Sequence, residues 1–202
     1  MGGWDKVTLL GWSFAPSIGQ FLETLPEIKD HKLEVLVIPP DLLDQLKSKT
    51  SFKKLQDQVA IQADGTIRTP IRFAPLQYLT VKDPVLMNGN LRIELDNYVL
   101  LSSDMLPLDE KNRKALNEVI AREPLALIEY WAVDTDYDGN TFRSVWQDYR
   151  ENIENDVDSL RVSTKVVLPY DGSELVAVKA VDVFGLESEV IIPKEQIIKG
   201  EN

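Results

Sequence analysis

The chain opens with two short apolar runs separated by a helical pattern. Val7 to Trp12 and Leu33 to Ile38 are β-branched or aliphatic stretches bounded by polar residues, which predicts strands. Between them Pro16 and Ser17 supply helix-start signals, and Ile18, Phe21, Leu22 and Leu25 recur at helical spacing, with Pro26 at a helix end. Pro39-Pro40 stops the second strand, and Asp41 caps a second helix through Leu42, Leu43 and Leu46. Strand, helix, strand, helix in this order predicts a small parallel βαβα unit with a right-handed crossover.

The pattern then changes. Gln58–Gln62 and Thr66–Phe73 read as strands flanking Asp64-Gly65. Leu76–Lys82 and Leu91–Leu101 read as stronger strands, joined through the hairpin turn Asn88-Gly89. A helix is predicted within Asp104–Glu123, with Asp109 as its cap and Leu116, Val119 and Ile120 as its apolar stripe. Beyond it, Leu127–Val133, Phe142–Tyr149, Leu160–Leu168, Leu175–Val183 and Glu189–Ile192 are short strand candidates separated by turn signals. The expected fold is therefore α+β. A small α/β unit occupies residues 1–75, and a mostly antiparallel β region occupies 76–202, ending in an Ig-like or PKD-like sandwich at about 125–199. The hairpin 78–101 fits either part.

Composition sharpens this picture. The 202 residues are 44% hydrophobic, enough for one sizeable core or two small ones. No apolar run reaches the roughly 18 residues that span a bilayer, and the N-terminus lacks signal-peptide character. The absence of cysteine removes disulfides, thiolate nucleophiles and Cys-based zinc sites. A cytoplasmic location is expected, with no membrane partner. The net charge of −11 is uneven: residues 1–75 hold nine basic and nine acidic side chains, and residues 76–202 hold 13 and 24. Broad phosphate neutralisation by the later region is therefore disfavoured, and a protein surface is the easier match.

Few residues carry candidate chemistry. Asp134, Asp136 and Asp138, with Gly139 and Asn140, match the opening of a calcium loop. However, Val145 stands where the bidentate Glu belongs, and the flanks read as strands, so an acidic turn is the plainer reading. His31, the single histidine, sits in a polar stretch with no nucleophile in view. The loop Gly11–Ser17 carries Trp12 and Phe14 in place of a Gly-rich phosphate fingerprint, and these aromatics are expected to pack against the rest of the protein. Trp131, Trp146, Tyr130 and Tyr149 fit core filling better than base stacking. Arg143, Arg150 and Arg161, near Trp146 and Gln147, are the candidate patch for DNA or partner contact.

Three stretches together resemble a known family. They are Lys6–Phe14 (KVTLLGWSF), Leu127–Tyr137 (LIEYWAVDTDY) with the following Thr141-Phe142 and Val145–Arg150 (VWQDYR), and Val176–Leu186 (VAVKAVDVFGL). They are similar to the C-terminal region of site-specific adenine DNA methyltransferases, the modification subunits of type III-like restriction-modification systems. The last stretch also has the strand, Asp-x-x-Gly turn and strand with which many sandwiches end. The resemblance implies a non-catalytic portion following a methyltransferase core. That core would bind S-adenosylmethionine, and this chain would position DNA, the catalytic domain or a restriction/helicase subunit. The chain departs from the catalytic pattern itself. Asp83-Pro84-Val85-Leu86 keeps two residues of an Asp-Pro-Pro-Tyr motif, Pro39-Pro40-Asp41 has the wrong order, and there is no Gly-rich cofactor loop, so catalytic and cofactor residues are expected to be none. A stand-alone sandwich binding module and a metal-dependent hydrolase are the alternatives.

Overall fold

The computed structural model describes residues 5–14, 18–30, 32–39, 42, 60–61, 67–68, 73–101, 103–150 and 161–200. Its fold is α+β and rich in strands. No helix among the described residues is long and apolar enough to cross a membrane. The chain divides into two compact units, Met1–Leu76 with Leu101–Leu108, and Gln77–Leu100 with Asp109–Asn202.

In the first unit β1 (Val7–Gly11) pairs in parallel with β2 (Leu33–Val37), from Val7 opposite Leu33 to Gly11 opposite Val37. The connection carries α1 (Ile18–Glu23) and α2 (Pro26–Lys29). Pro26 begins α2, where its missing N–H costs nothing and its fixed φ already suits a helix. A two-residue ladder joins β3 (Ala60–Ile61) to β4 (Ile67–Arg68), and β5 (Ala74–Pro75) lies antiparallel to β2. The core centres on Leu22, Val35 and Leu76, with Ile18, Leu25 and Ile28 packed against it. The helix expected after β2 and His31 fall outside the described residues, apart from Leu42. Phe14 packs against this core as expected, and its ring lies so close over Gly11 that an added Cβ would sit 2.5 Å from it. Trp12 departs from expectation: it stands half exposed.

The second unit contains two sheets. One has the order β10 (Trp146–Tyr149), β9 (Ile128–Asp134), β12 (Leu175–Asp182), β13 (Glu187–Pro193), every neighbour antiparallel. The other runs β11 (Lys165–Pro169), β8 (Asn90–Leu100), β7 (Val85–Met87), β14 (Ile198–Lys199), with β6 (Gln77–Val81) also paired to β8. Residues 77–100 thus supply most of the second sheet.

The turn Asn88-Gly89 between β7 and β8 has φ of 49° and 75°, the double positive φ that favours Asn-Gly in tight hairpins. In β8 the inward positions are Leu91, Ile93 and Leu95, then Tyr98 and Leu100. The switch of parity comes from a bulge. Thr80 pairs with Asn97 and Val81 with Leu95, which leaves Asp96 as the extra residue. Helix α3 (Glu110–Arg122) follows its predicted cap, since the Asp109 carboxylate accepts the Asn112 N–H at 2.8 Å.

Two strand expectations shorten. The run Phe142–Tyr149 is strand only from Trp146, because the preceding residues are held in a loop by the carboxylates described below. The run Leu160–Leu168 becomes Lys165–Pro169, and Leu160 lies outside the described residues.

Candidate functional site

The acidic loop leaves the end of β9. Asp134 is buried, and both of its oxygens are occupied by backbone: Oδ1 accepts the Asp136 N–H at 3.0 Å and Oδ2 the Arg143 N–H at 2.6 Å. Asp138 Oδ1 accepts the N–H groups of Asn140 (2.9 Å) and Thr141 (2.7 Å), while its Oδ2 lies 2.7 Å from the Arg143 guanidinium. The Thr141 and Asn140 amides, with Arg143, hold the Asp138 carboxyl down at about 2. Asp136 faces elsewhere. Its Oδ1 lies 2.8 Å from Ser173 Oγ, a hydroxyl shared with Asp171 at 2.6 Å.

The three aspartates therefore do not form a ligand set. Asp134 and Asp138 shape the loop, and Asp136 ties it to the turn before β12. Among the described residues no group of three His, Cys, Asp or Glu is arranged to hold a metal ion. The sequence match to a calcium loop has a local cause: the short Asp side chain also folds back onto amides two or three residues ahead.

The three candidate arginines are each engaged with groups of their own unit. Arg143 is engaged with Asp138. Arg150, at the other end of β10, is mostly buried. Its Nη2 donates to the carbonyls of Ala126 and, at 3.2 Å, Ile128, and its Nε lies 3.5 Å from Glu129. Arg161 is ion-paired with Glu123. Trp146 meets Trp131 edge to face with 4.6 Å between centroids, and the fully buried Trp131 donates Nε1–H to the Ser163 carbonyl at 2.7 Å. Gln147 is exposed on the outer side of the same strand, beside Tyr149, whose ring stacks on Tyr130 at 5.1 Å. Core filling thus claims Trp131 and Trp146, while the tyrosine pair lies on the outer side of the sheet.

A pocket missed from the sequence lies along α3. It has a volume of about 350 Å³ and is lined by Ala115, Glu118, Val119, Arg122, Glu123, Ala126 and Arg161. Its two arginines and two glutamates balance, so it has no net preference for an anion or a cation. No motif marks it, because Arg161 comes from a segment 38 positions beyond its partner Glu123. A comparison of the chain with family models, curated proteins and solved structures finds no match.

Proposed function

We propose that this chain is a non-catalytic docking region. On this reading it is the C-terminal accessory part of a site-specific adenine DNA methyltransferase, built round an Ig-like β-sandwich, and it positions the catalytic domain, the DNA or a restriction subunit. The observation that carries the reading is where the polar candidates direct their charges. Asp134, Asp138 and Arg150 each spend their hydrogen bonds on backbone groups of their own unit. Groups so committed hold a scaffold; a reaction needs polar groups converging on an open space where a substrate atom can sit. The sheet orders support the Ig-like description. Strands β9, β10, β12 and β13 share one sheet, while β6, β8 and β11 share the other, so the chain crosses to the second sheet between β10 and β12. The acidic excess of residues 76–202 supports docking to protein over broad phosphate contact.

The test has two arms. Calorimetry with S-adenosylmethionine should give no binding heat, and low-micromolar affinity would overturn the non-catalytic reading. Added to the adenine methyltransferase core of the same genome, the chain should form a complex and raise DNA methylation. A core that neither binds the chain nor responds to it would remove the assignment to this enzyme class.

A further inference from the structure

Among the described residues strand β1 is an edge without the usual protection, and it pairs only with β2. Its Val7, Leu9 and Leu10, and Trp12 just beyond, are 46–49% exposed. Val7 and Leu9 point to one face of the sheet and Leu10 to the other, beside Thr8, which donates to Glu34 at 2.9 Å, so each face exposes apolar side chains. Parallel strands carry apolar residues on both faces when both faces are covered, and free edges are normally guarded by charge, proline or a bulge. The strand Val7–Gly11 has none of these guards.

The hydrogen-bond pattern says which groups await a partner. Val7 N–H bonds the Lys32 carbonyl at 2.7 Å, and the Gly11 carbonyl accepts from Ile38 at 2.7 Å. Val7, Leu9 and Gly11 therefore face β2, and the N–H and C=O groups of Thr8 and Leu10 face outward.

We propose that β1 is a self-pairing edge, at which a second copy of this chain adds its own β1 antiparallel, with Thr8 opposite Leu10 and Leu9 opposite Leu9. This register, centred on Leu9, pairs all four outward backbone groups of each strand across a two-fold axis, the self-complementary arrangement that a symmetric dimer requires. It sets Lys6 opposite Trp12 and not opposite another lysine, so no like charges meet. Residues 1–75 balance nine basic against nine acidic side chains, so two copies meet here without the repulsion that the acidic later region would impose. The four half-exposed side chains offer roughly 300–400 Å² per copy, from about 150–250 Å² for a whole aromatic residue. A pair would bury about 700 Å², below the ~1,200 Å² of stable complexes, so the dimer is weak and concentration-dependent.

Sedimentation equilibrium of the full chain between about 10 and 500 µM tests this, with affinity in the range of weak interfaces. The expected result is a rise in average mass from one copy toward two. Leu9→Lys, which would set two ammonium groups against each other at the axis, should weaken association at least tenfold. Hydrogen exchange on the wild-type chain gives a readout that does not depend on how that variant folds. The Thr8 and Leu10 amides should slow severalfold as concentration rises, while those of Val7 and Leu9, bonded to β2, stay unchanged. A chain that remains monomeric throughout, Thr8 and Leu10 amides indifferent to concentration, or a folded Leu9→Lys variant that associates like wild type would each overturn the proposal. The first two outcomes would leave the edge to a strand of a different polypeptide.

Discussion

Tyr98 donates its phenolic hydrogen to Asp182 Oδ2 at 2.8 Å, joining residues 84 positions apart and linking the two sheets of the second unit. The other carboxylate oxygen of Asp182 accepts the N–H groups of Phe184 (2.8 Å) and Leu186 (2.9 Å), so one buried side chain both holds the turn between β12 and β13 and anchors β8. Burial pushes the Asp182 carboxyl above the usual aspartate value, against the opposing pull of these donors. It pushes the Tyr98 phenol up as well, which keeps it a donor at any ordinary pH.

Tyr98→Phe should therefore destabilise the protein by about 2 kcal/mol at neutral pH, because a buried carboxylate loses a donor and gains no substitute. The pH dependence has a definite sign. A carboxyl whose folded pKa is raised binds its proton more readily when folded, so the cost of its ionised form is absent below the ordinary value of 3.8 and grows as pH rises through the folded pKa. The deficit of the variant should accordingly shrink as pH falls through the raised folded pKa toward 3.8 and be smallest below it. Urea unfolding at several pH values measures both, and a deficit that is constant with pH would contradict the assignment to an ionised Asp182.

Asp138 shows the opposite linkage. Its folded carboxyl is held at about 2 against an ordinary 3.8, mainly by the Thr141 and Asn140 amides and then by Arg143. The stability it contributes is present above 3.8 and is lost as pH falls from 3.8 through about 2. Asp138→Asn should remove that part of the acid limb and leave behaviour above pH 5 nearly unchanged. Following the Thr141 amide by NMR through acid titration of the wild type checks it, and a midpoint near the ordinary value would refute the loop geometry.

How much of this was legible in the sequence depends on the range of the interaction. The Asp109 cap and the Asn88-Gly89 turn are decided within a few residues and stand where the pattern placed them, although the turn joins β8 to the unpredicted β7 and not to the run Leu76–Lys82. Strand bounds failed where side chains competed with the backbone ladder. Asp134 takes the Arg143 N–H for itself and keeps the residues before Trp146 out of the sheet. The bulge at Asp96 was hidden because alternation shows it only when the pairing partner, Thr80-Val81, is known. Among the candidate site residues, composition singled out Arg143, Arg150 and Arg161 as the scarce cations of an acidic region. Their actual partners, Asp138, the carbonyls of Ala126 and Ile128, and Glu123, are set by tertiary contacts that one-dimensional spacing does not encode.

Gly89 isolates a purely conformational effect. A Cβ added there meets nothing within 4 Å, yet the φ of 75° is one that side-chain-bearing residues adopt reluctantly. Gly89→Ala should cost about 1 kcal/mol with no change in packing. The chemical shifts of the Leu91 and Ile93 methyls report on the core of the same sheet. They should stay in place while the unfolding midpoint falls, and a larger loss with displaced methyl signals would mean that the hairpin has changed register.

The three arginines separate scaffold from contact surface. Arg150 is mostly buried and serves two carbonyls, so Arg150→Ala should lose about 1.5–3 kcal/mol, the range for hydrogen bonds from a charged donor. Arg143 and Arg161 make exposed ion pairs, and their replacement by Ala should cost under about 1 kcal/mol each, less in high salt. If the three are structural, the triple variant should show a stability loss dominated by Arg150 and the same weak DNA affinity as the wild type, with the same dependence on salt. Fluorescence anisotropy with duplex DNA, read beside denaturant unfolding, separates the two roles. A salt dependence that flattens by nearly three charges in the variant would mean that all three arginines reach phosphates, and the docking region would then have to be read as a DNA grip.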